Sequence, residues 1–292
     1  MGSKDHPMAV VPRIIEEELR FKFYSGEAFF LAYNRGNTQY GDMYKSRPDF
    51  YPVYSPSGRE VTSTCAYRYN HHKSIFIGHA DVNGINFFHD NNPTRLDLGD
   101  IVLEKSHHEI DESGIHVMTH NGWITKAGVR LLEEERNFTV ISGEAAHIID
   151  LTSTLIASQT DLTFAQDNHS FLGVRVADTI DVEDGGTILN ANGQRNEEEA
   201  MGQSADWTDY SGVVAGKTVG VTLMNHPSNP PSAFFTRNYG TFLTNFTLLD
   251  QYQLSRGEQL TQRFRIFIHE GDAVEANVKA CYNQFVETPP RW

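Results

Sequence analysis

Leu19-Arg-Phe-Lys-Phe-Tyr24 decides how this chain is read. Leu19, Phe21 and Phe23 alternate with Arg20, Lys22 and Tyr24, the period of a strand with one face on a core and the other toward water. Outward from it, residues 28–33, 74–79, 129–141, 146–157, 172–177, 218–224 and 263–269 read the same way. In the last of these Phe264, Ile266 and Ile268 line one face, and Arg265 and His269 stand on the other. Turn clusters separate the strands, among them Ser55-Pro-Ser-Gly58, Asp184-Gly-Gly186 and Pro227-Ser-Asn-Pro-Pro231. Many alternating strands with little helical pattern predict a mainly β, antiparallel β-sandwich. One helix is expected, capped by Asp272 and running to about residue 286, with Val274, Val278, Cys281, Tyr282 and Phe285 at helical spacing. Residues 193–204 read as a polar loop.

The chain has 292 residues, 39% of them hydrophobic, enough for a sizeable core. No linker, internal repeat or low-complexity run divides it, so one domain over 1–292 is expected, with about residues 1–15 flexible. Lys and Arg total 24 against 38 for Asp and Glu, a net charge of −14. Phosphate backbones repel such a surface, which argues against nucleic acid and an anionic membrane face as partners. Met1–Val11 has no signal-peptide core, and no apolar run is long enough to span a bilayer. Two distant cysteines, Cys65 and Cys281, form no metal or redox motif and are expected to be reduced thiols. Together these make cytoplasmic residence the expectation.

Polar side chains gather in several motifs. Tyr67-Arg-Tyr-Asn-His-His72 is followed by Ser74-Ile-Phe-Ile-Gly-His-Ala-Asp-Val-Asn83, where His79, Asp81 and Asn83 share a face with Ile75 and Ile77. A face that turns from apolar to polar predicts a strand leaving the core for a cleft. Glu133 and Glu135 fall on one strand face, ~6.5–7 Å apart, close enough to raise each other's proton affinity. Arg265 and His269 suit an anionic or polyhydroxyl ligand. Asp206-Trp-Thr-Asp-Tyr-Ser-Gly212 pairs the Trp207 and Tyr210 rings with carboxylates and hydroxyls, as sugar sites do. Asn225-His-Pro-Ser-Asn229, with His226, and Arg237-Asn-Tyr239 add a further polar cluster. Each motif also has a structural reading, as a strand end, a solvated face or a core anchor. Thirteen histidines invite a metal, yet no His-x-His, His-Glu-x-x-His or calcium loop is present. His107, His108, His116 and His120 find no third ligand; no metal site is assigned, and a divalent ion stays open.

These motifs resemble the bacterial group labelled "PmoA family", or methane-oxygenase-like. The matching stretches are Tyr51–Gly58, His71–Gly84, Trp123 with Glu133–Arg136, Asn168–Arg175, Asp206–Gly212, Asn225–Asn229, Arg237–Gly240 and Arg265–Asp272. Phe76 and Phe88 stand where that family usually has Trp. A membrane oxygenase would need bilayer-spanning helices, so the label itself does not describe this chain. The resemblance implies a galactose-mutarotase-like β-supersandwich and a small-molecule sugar or glycoside as partner, with chemistry on a keto-sugar. It also implies that His71, His72, His79, Glu133, Glu135, His169, Arg175, His226 and His269 share one cleft.

The expected function is therefore a lyase or isomerase moving a proton at a sugar carbon by β-elimination, hydration or epimerisation. His79, Glu133, His169 and His269 are the candidate acids and bases. His71, His72, Asp81, Asn83, Glu135, Arg175, Trp207, Tyr210, His226, Arg237 and Arg265 are expected to hold substrate. A non-catalytic sugar-binding module and a metal-dependent oxygenase or hydrolase are the alternatives.

Overall fold

The computed structural model describes residues 12–40, 43–66, 69–89 and 97–291. The expectations for residues 1–11, and for Tyr67 and Arg68, lie outside these. Alternation builds two eight-stranded sheets, every ladder antiparallel. The first runs Pro12–Glu16, Arg20–Ser25, Ala28–Asn34, Asp49–Val53, Ile75–His79, Ser170–Arg175, Thr241–Asn245, Ala233–Arg237. The second runs Thr187–Asn190, Trp207–Val214, Lys217–Asn225, Gln259–Glu270, Ala146–Ile156, Arg130–Ser142, Gly114–Thr125, Gly99–Asp111. Pro12–Glu16, expected within a flexible N-terminus, is the edge strand of the first sheet.

The sheets pack face to face, as in a sandwich. Phe21, Phe23, Ile75, Ile77, Leu172, Val174 and Phe242 of the first meet Leu132, Phe138, Ile149, Leu151, Phe264 and Ile266 of the second in one buried cluster. Tyr33, Phe50 and Phe138 fill its middle with ring centroids 4.7–5.0 Å apart. Between the sheets lies a buried ion pair. Glu134 takes hydrogen bonds from Nε and Nη2 of Arg136, each 2.8 Å, from Ser153 Oγ at 2.8 Å and from Trp123 Nε1 at 3.0 Å. Burial pulls the Arg136 pKa down, but the Glu134 charge and hydrogen bonds outweigh it and leave it raised.

The C-terminal helix is shorter than the sequence suggests, Val278–Glu287. Asp272 Oδ1 does accept the backbone N–H groups of Val274 and Glu275, at 2.8 and 2.9 Å. It caps only a preliminary turn, because Asn277 adopts φ 52° and restarts the chain. Val278, Tyr282 and Phe285 cover Trp207, Met224 and Phe267 on the outer face of the second sheet. Within residues 193–204, read as a loop, Asn196–Ala200 forms one helical turn. No described helix is long and apolar enough to cross a membrane, which says nothing of crossing by strands. Neither Cys65 nor Cys281 is in a disulfide.

Candidate active site

The first sheet's outer face carries the densest chemistry. Phe76, Phe235 and Leu243 point outward there and form a satellite cluster with Phe88 and Leu248. Two glycines make room. A Cβ at Gly173 would sit 3.0 Å from the Phe76 ring, and one at Gly78 would sit 2.8 Å from the Phe87 carbonyl. Gly78 thus lets residues 82–89 fold back along Ile75–His79, with Phe87 N–H bonded to the His79 carbonyl at 2.8 Å. Asn86 Oδ1 fixes the end of this loop by accepting the N–H groups of Phe88 and His89, at 3.0 and 2.8 Å. The result is to bring His89 beside His71 and His169.

Each of these three histidines offers one ring nitrogen within 4.8 Å of the other two. Ring centroids lie 4.4 Å apart for His71 and His89, 4.8 Å for His89 and His169, and 6.2 Å for His71 and His169. Asp167 fixes His169: one carboxylate oxygen accepts both its backbone N–H, at 2.7 Å, and its Nδ1–H, at 2.8 Å. In the neutral ring that leaves the lone pair on Nε2. Burial, and behind it the charge of Arg47, pushes the His71 pKa down to about 4, and its buried Nε2 has no hydrogen-bond partner among the described residues. His72 is pushed down to about 2 by burial and the neighbouring His71, so both rings are neutral at pH 7.

Around the histidines stand aromatic planes and arginines. Tyr69 stacks on His72 at 4.9 Å and on Tyr239 at 4.7 Å. Tyr239 tips the hairpin between Ala233–Arg237 and Thr241–Asn245, where Gly240 takes the φ of +89° that the tight turn needs. Arg175 and Arg237 lie over the Tyr239 ring, at 5.7 and 5.5 Å. Glu197 braces the hairpin by pairing with Arg237 at 3.0 Å and accepting the Asn238 N–H at 2.8 Å. Nε of Arg175 and Nε of Arg237 are each buried without a hydrogen-bond partner among the described residues.

Of the residues expected to share one cleft, His71, His72, His169 and Arg175 meet here, joined by Arg237, which was expected to hold substrate. The others do not, so the single-cleft expectation fails. His79 stays in the core against Phe164 and Phe246. Its Nδ1 accepts the Asp81 N–H at 3.1 Å and its Nε2–H donates to Thr247 Oγ1 at 3.0 Å. Asp81 and Asn83 hold turns, Asp81 by accepting the Gly84 N–H and Asn83 by bonding the backbone of Asp161 and Thr163. Glu133 and Glu135 lie on the outer face of the second sheet, Glu133 3.3 Å from His120 and Glu135 in a recess with Lys105, His107 and His120. Tyr210 lies between the sheets, donating to the Arg237 and Thr241 carbonyls at 3.0 and 3.2 Å. Trp207, His226, Arg265 and His269 belong to the second sheet's outer face. There His226 meets Phe285 and Nη1 of Arg263, Arg265 pairs with Asp150 at 2.6 Å, and His269 pairs with Asp209 at 2.8 Å.

His89 and Asp167 were missed. Asp167-Asn-His169 is a short-range carboxylate–histidine spacing that the sequence displays, whereas nothing near His89 marks it apart from Asn86 three residues earlier.

No curated protein matches the chain. Among solved structures it is similar to a galactose mutarotase-like protein from Lactobacillus casei, at 9% identity and TM-score 0.42 over 88% of this chain and all of that one. It is also similar to heparan sulfate lyase HepC from Pedobacter heparinus, at 8% identity and TM-score 0.43, and to 4-alpha-glucanotransferase from Thermococcus litoralis, at 10% and 0.32. Those two alignments cover 90% and 91% of this chain but only 37% and 38% of the neighbours. At such values none of them assigns an activity here. The resemblance to the "PmoA family" is overturned by the family model that does match, over residues 20–283. By that match the chain belongs to the family of unknown function DUF6807.

Proposed function

We propose that the protein is a carbohydrate-processing enzyme that moves a proton at a sugar carbon, with His169 as the base and Asp167 as its positioning residue. The observation that carries this reading is the Asp167–His169 pair, which holds an imidazole lone pair on Nε2 beside two further histidines. A keto group next to the reacting carbon acidifies its C–H. His169 Nε2 takes that proton, and the C–H electron pair moves onto the carbonyl oxygen as an enolate. Arg175 or Arg237 offsets the developing negative charge. Return of the proton to the opposite face gives an epimer; departure of a β-substituent gives the elimination product. The Tyr69 and Tyr239 rings supply planes for the CH face of a sugar, and the arginines supply donors for its oxygens.

The test is a thermal-shift screen of sugars, glycosides and keto-sugars, followed by conversion assays on those that bind. Wild type converts at least one of them, and His169→Gln lowers turnover ~100- to 10,000-fold, the usual contribution of a general base. Binding without conversion of any ligand would replace this reading with a non-catalytic sugar-binding protein.

A further inference from the structure

We infer that His71, His89 and His169 form a site for one late first-row divalent ion of the Zn²⁺ class, and that this ion competes with proton transfer at His169. The ligands come from three separate segments: the approach to Ile75–His79, the loop that Gly78 admits, and the start of Ser170–Arg175. Three imidazoles suit Zn²⁺, Co²⁺ and Ni²⁺, and three histidines with an open fourth position are an established zinc arrangement. Two further observations point to a cation. His71 Nε2 is buried with no hydrogen-bond partner among the described residues. Asp167 on Nδ1 of His169 is the carboxylate–histidine support that orients metal-binding imidazoles.

Tetrahedral Zn–N bonds of about 2.0–2.1 Å place ligand nitrogens roughly 3.3 Å apart. Those here lie within 4.8 Å, so the rings must close by up to about 1.5 Å. His71 and His89 lie outside the strands, where rotation of the side chains supplies this movement with the backbone held.

His89 is the ligand that resists. The Asn86 amide faces its Nδ1 at 3.1 Å with Nδ2, an orientation set because Oδ1 accepts two backbone N–H groups. Ligation through Nε2 needs the proton on Nδ1, opposite that donor. Asn86→Asp replaces the donor with an acceptor and gives His89 the support that Asp167 gives His169. The ion occupies the Nε2 lone pair that abstracts the substrate proton, so the metal-loaded protein is the inactive form. This competition rests on proton transfer at His169; metal binding itself does not.

The experiment uses full-length protein stripped with a chelator and titrated with Co²⁺, read by its visible absorption, and with Zn²⁺ against a chromophoric chelator. One ion per chain is expected. His89→Gln and His169→Gln should each weaken binding at least 10-fold, His107→Gln should leave it unchanged, and Asn86→Asp should tighten it about 10-fold, the scale of supporting interactions at metal sites. Circular dichroism of each variant verifies the fold. Wild-type affinity no better than that of His169→Gln would overturn the site, and so would binding lost equally in His107→Gln. Saturating Zn²⁺ should lower sugar conversion at least 10-fold; higher conversion with Zn²⁺ would overturn the competition. Ion binding as expected, with no conversion of any sugar by stripped protein, would sink the proton-transfer reading and leave the metal site standing.

Discussion

Glu134→Gln removes one charge from a place the solvent does not reach. Glu134 is 0% exposed and Arg136 1%. The carboxylate takes four hydrogen bonds, two from the Arg136 guanidinium and one each from Trp123 and Ser153. A glutamine keeps the shape and one acceptor oxygen, but its amide turns two N–H bonds toward groups that are themselves donors. Arg136 cannot lose its proton, so an uncompensated cation remains between the sheets. Breaking a buried pair from one side typically costs ~3–5 kcal/mol. Unfolding entropy of about 2.1 cal/mol/K per residue gives about 0.6 kcal/mol/K for 292 residues, so the thermal midpoint should fall by about 5–8 °C. Differential scanning calorimetry reads this directly. Adding Arg136→Met, which removes the stranded charge, should return part of the loss. A midpoint within 2 °C of wild type for Glu134→Gln, or a double variant less stable than the single, would refute the dry ion pair.

Asp167→Asn should lower turnover ~100- to 10,000-fold with little change in midpoint. One oxygen accepts both the backbone N–H and the Nδ1–H of His169, so asparagine keeps the tautomer but loses the negative charge that stabilises the imidazolium formed when Nε2 takes the proton; rates near wild type would remove Asp167 from the mechanism. Burial lowers the His79 pKa to about 4, so the unfolded chain takes up this proton near pH 6.5 and the folded chain only near 4. Its contribution is complete above pH 6.5 and lost as pH falls toward 4, about 3 kcal/mol over that window. The midpoint should accordingly depend less on pH in His79→Gln than in wild type, and equal slopes would contradict the assignment. Tyr210→Phe strips the Arg237 N–H of a partner at 3.1 Å and should cost ~1–3 kcal/mol. It should also weaken sugar binding by loosening the hairpin that carries Arg237 and Tyr239; unchanged affinity would separate the hairpin from the site.

The strands were legible because a one-sided strand repeats with period two, and eight such stretches in the sequence correspond to strands of the two sheets. What alternation could not convey is which face a polar residue shares with which. Glu133 and Glu135 were singled out for their i, i+2 spacing, yet Glu134 between them faces the core with Arg136. A buried ion pair hidden in an alternating strand looks like the solvated phase. His79 shares a face with Ile75 and Ile77 and stays in the core, because Thr247 and the Asp81 backbone satisfy both of its ring nitrogens. Arg265 and His269 do stand opposite Ile266 and Ile268, but a short helix covers that face. Local spacing does not reveal such cover. At the site, His71, His72 and Arg237 stood out in dense polar motifs, whereas His169 and Arg175 were named only through the family resemblance. His89 was not named, because its approach depends on a contact between Gly78 and the Phe87 carbonyl rather than on any spacing of its own. The start of the C-terminal helix was misplaced for a related reason: Asp272 caps a turn that Asn277 then interrupts.

The proposed reaction requires that His169 remove a proton from carbon. Wild-type protein, stripped of metal, is incubated in D₂O with each sugar or keto-sugar that it binds, and the ligand is followed by proton NMR. One carbon-bound proton signal should be lost at a single position, with deuterium in its place, at a rate at least 100-fold lower for His169→Gln. Full retention of every carbon-bound proton in all bound ligands would contradict this reaction, as would exchange that proceeds at the wild-type rate without His169.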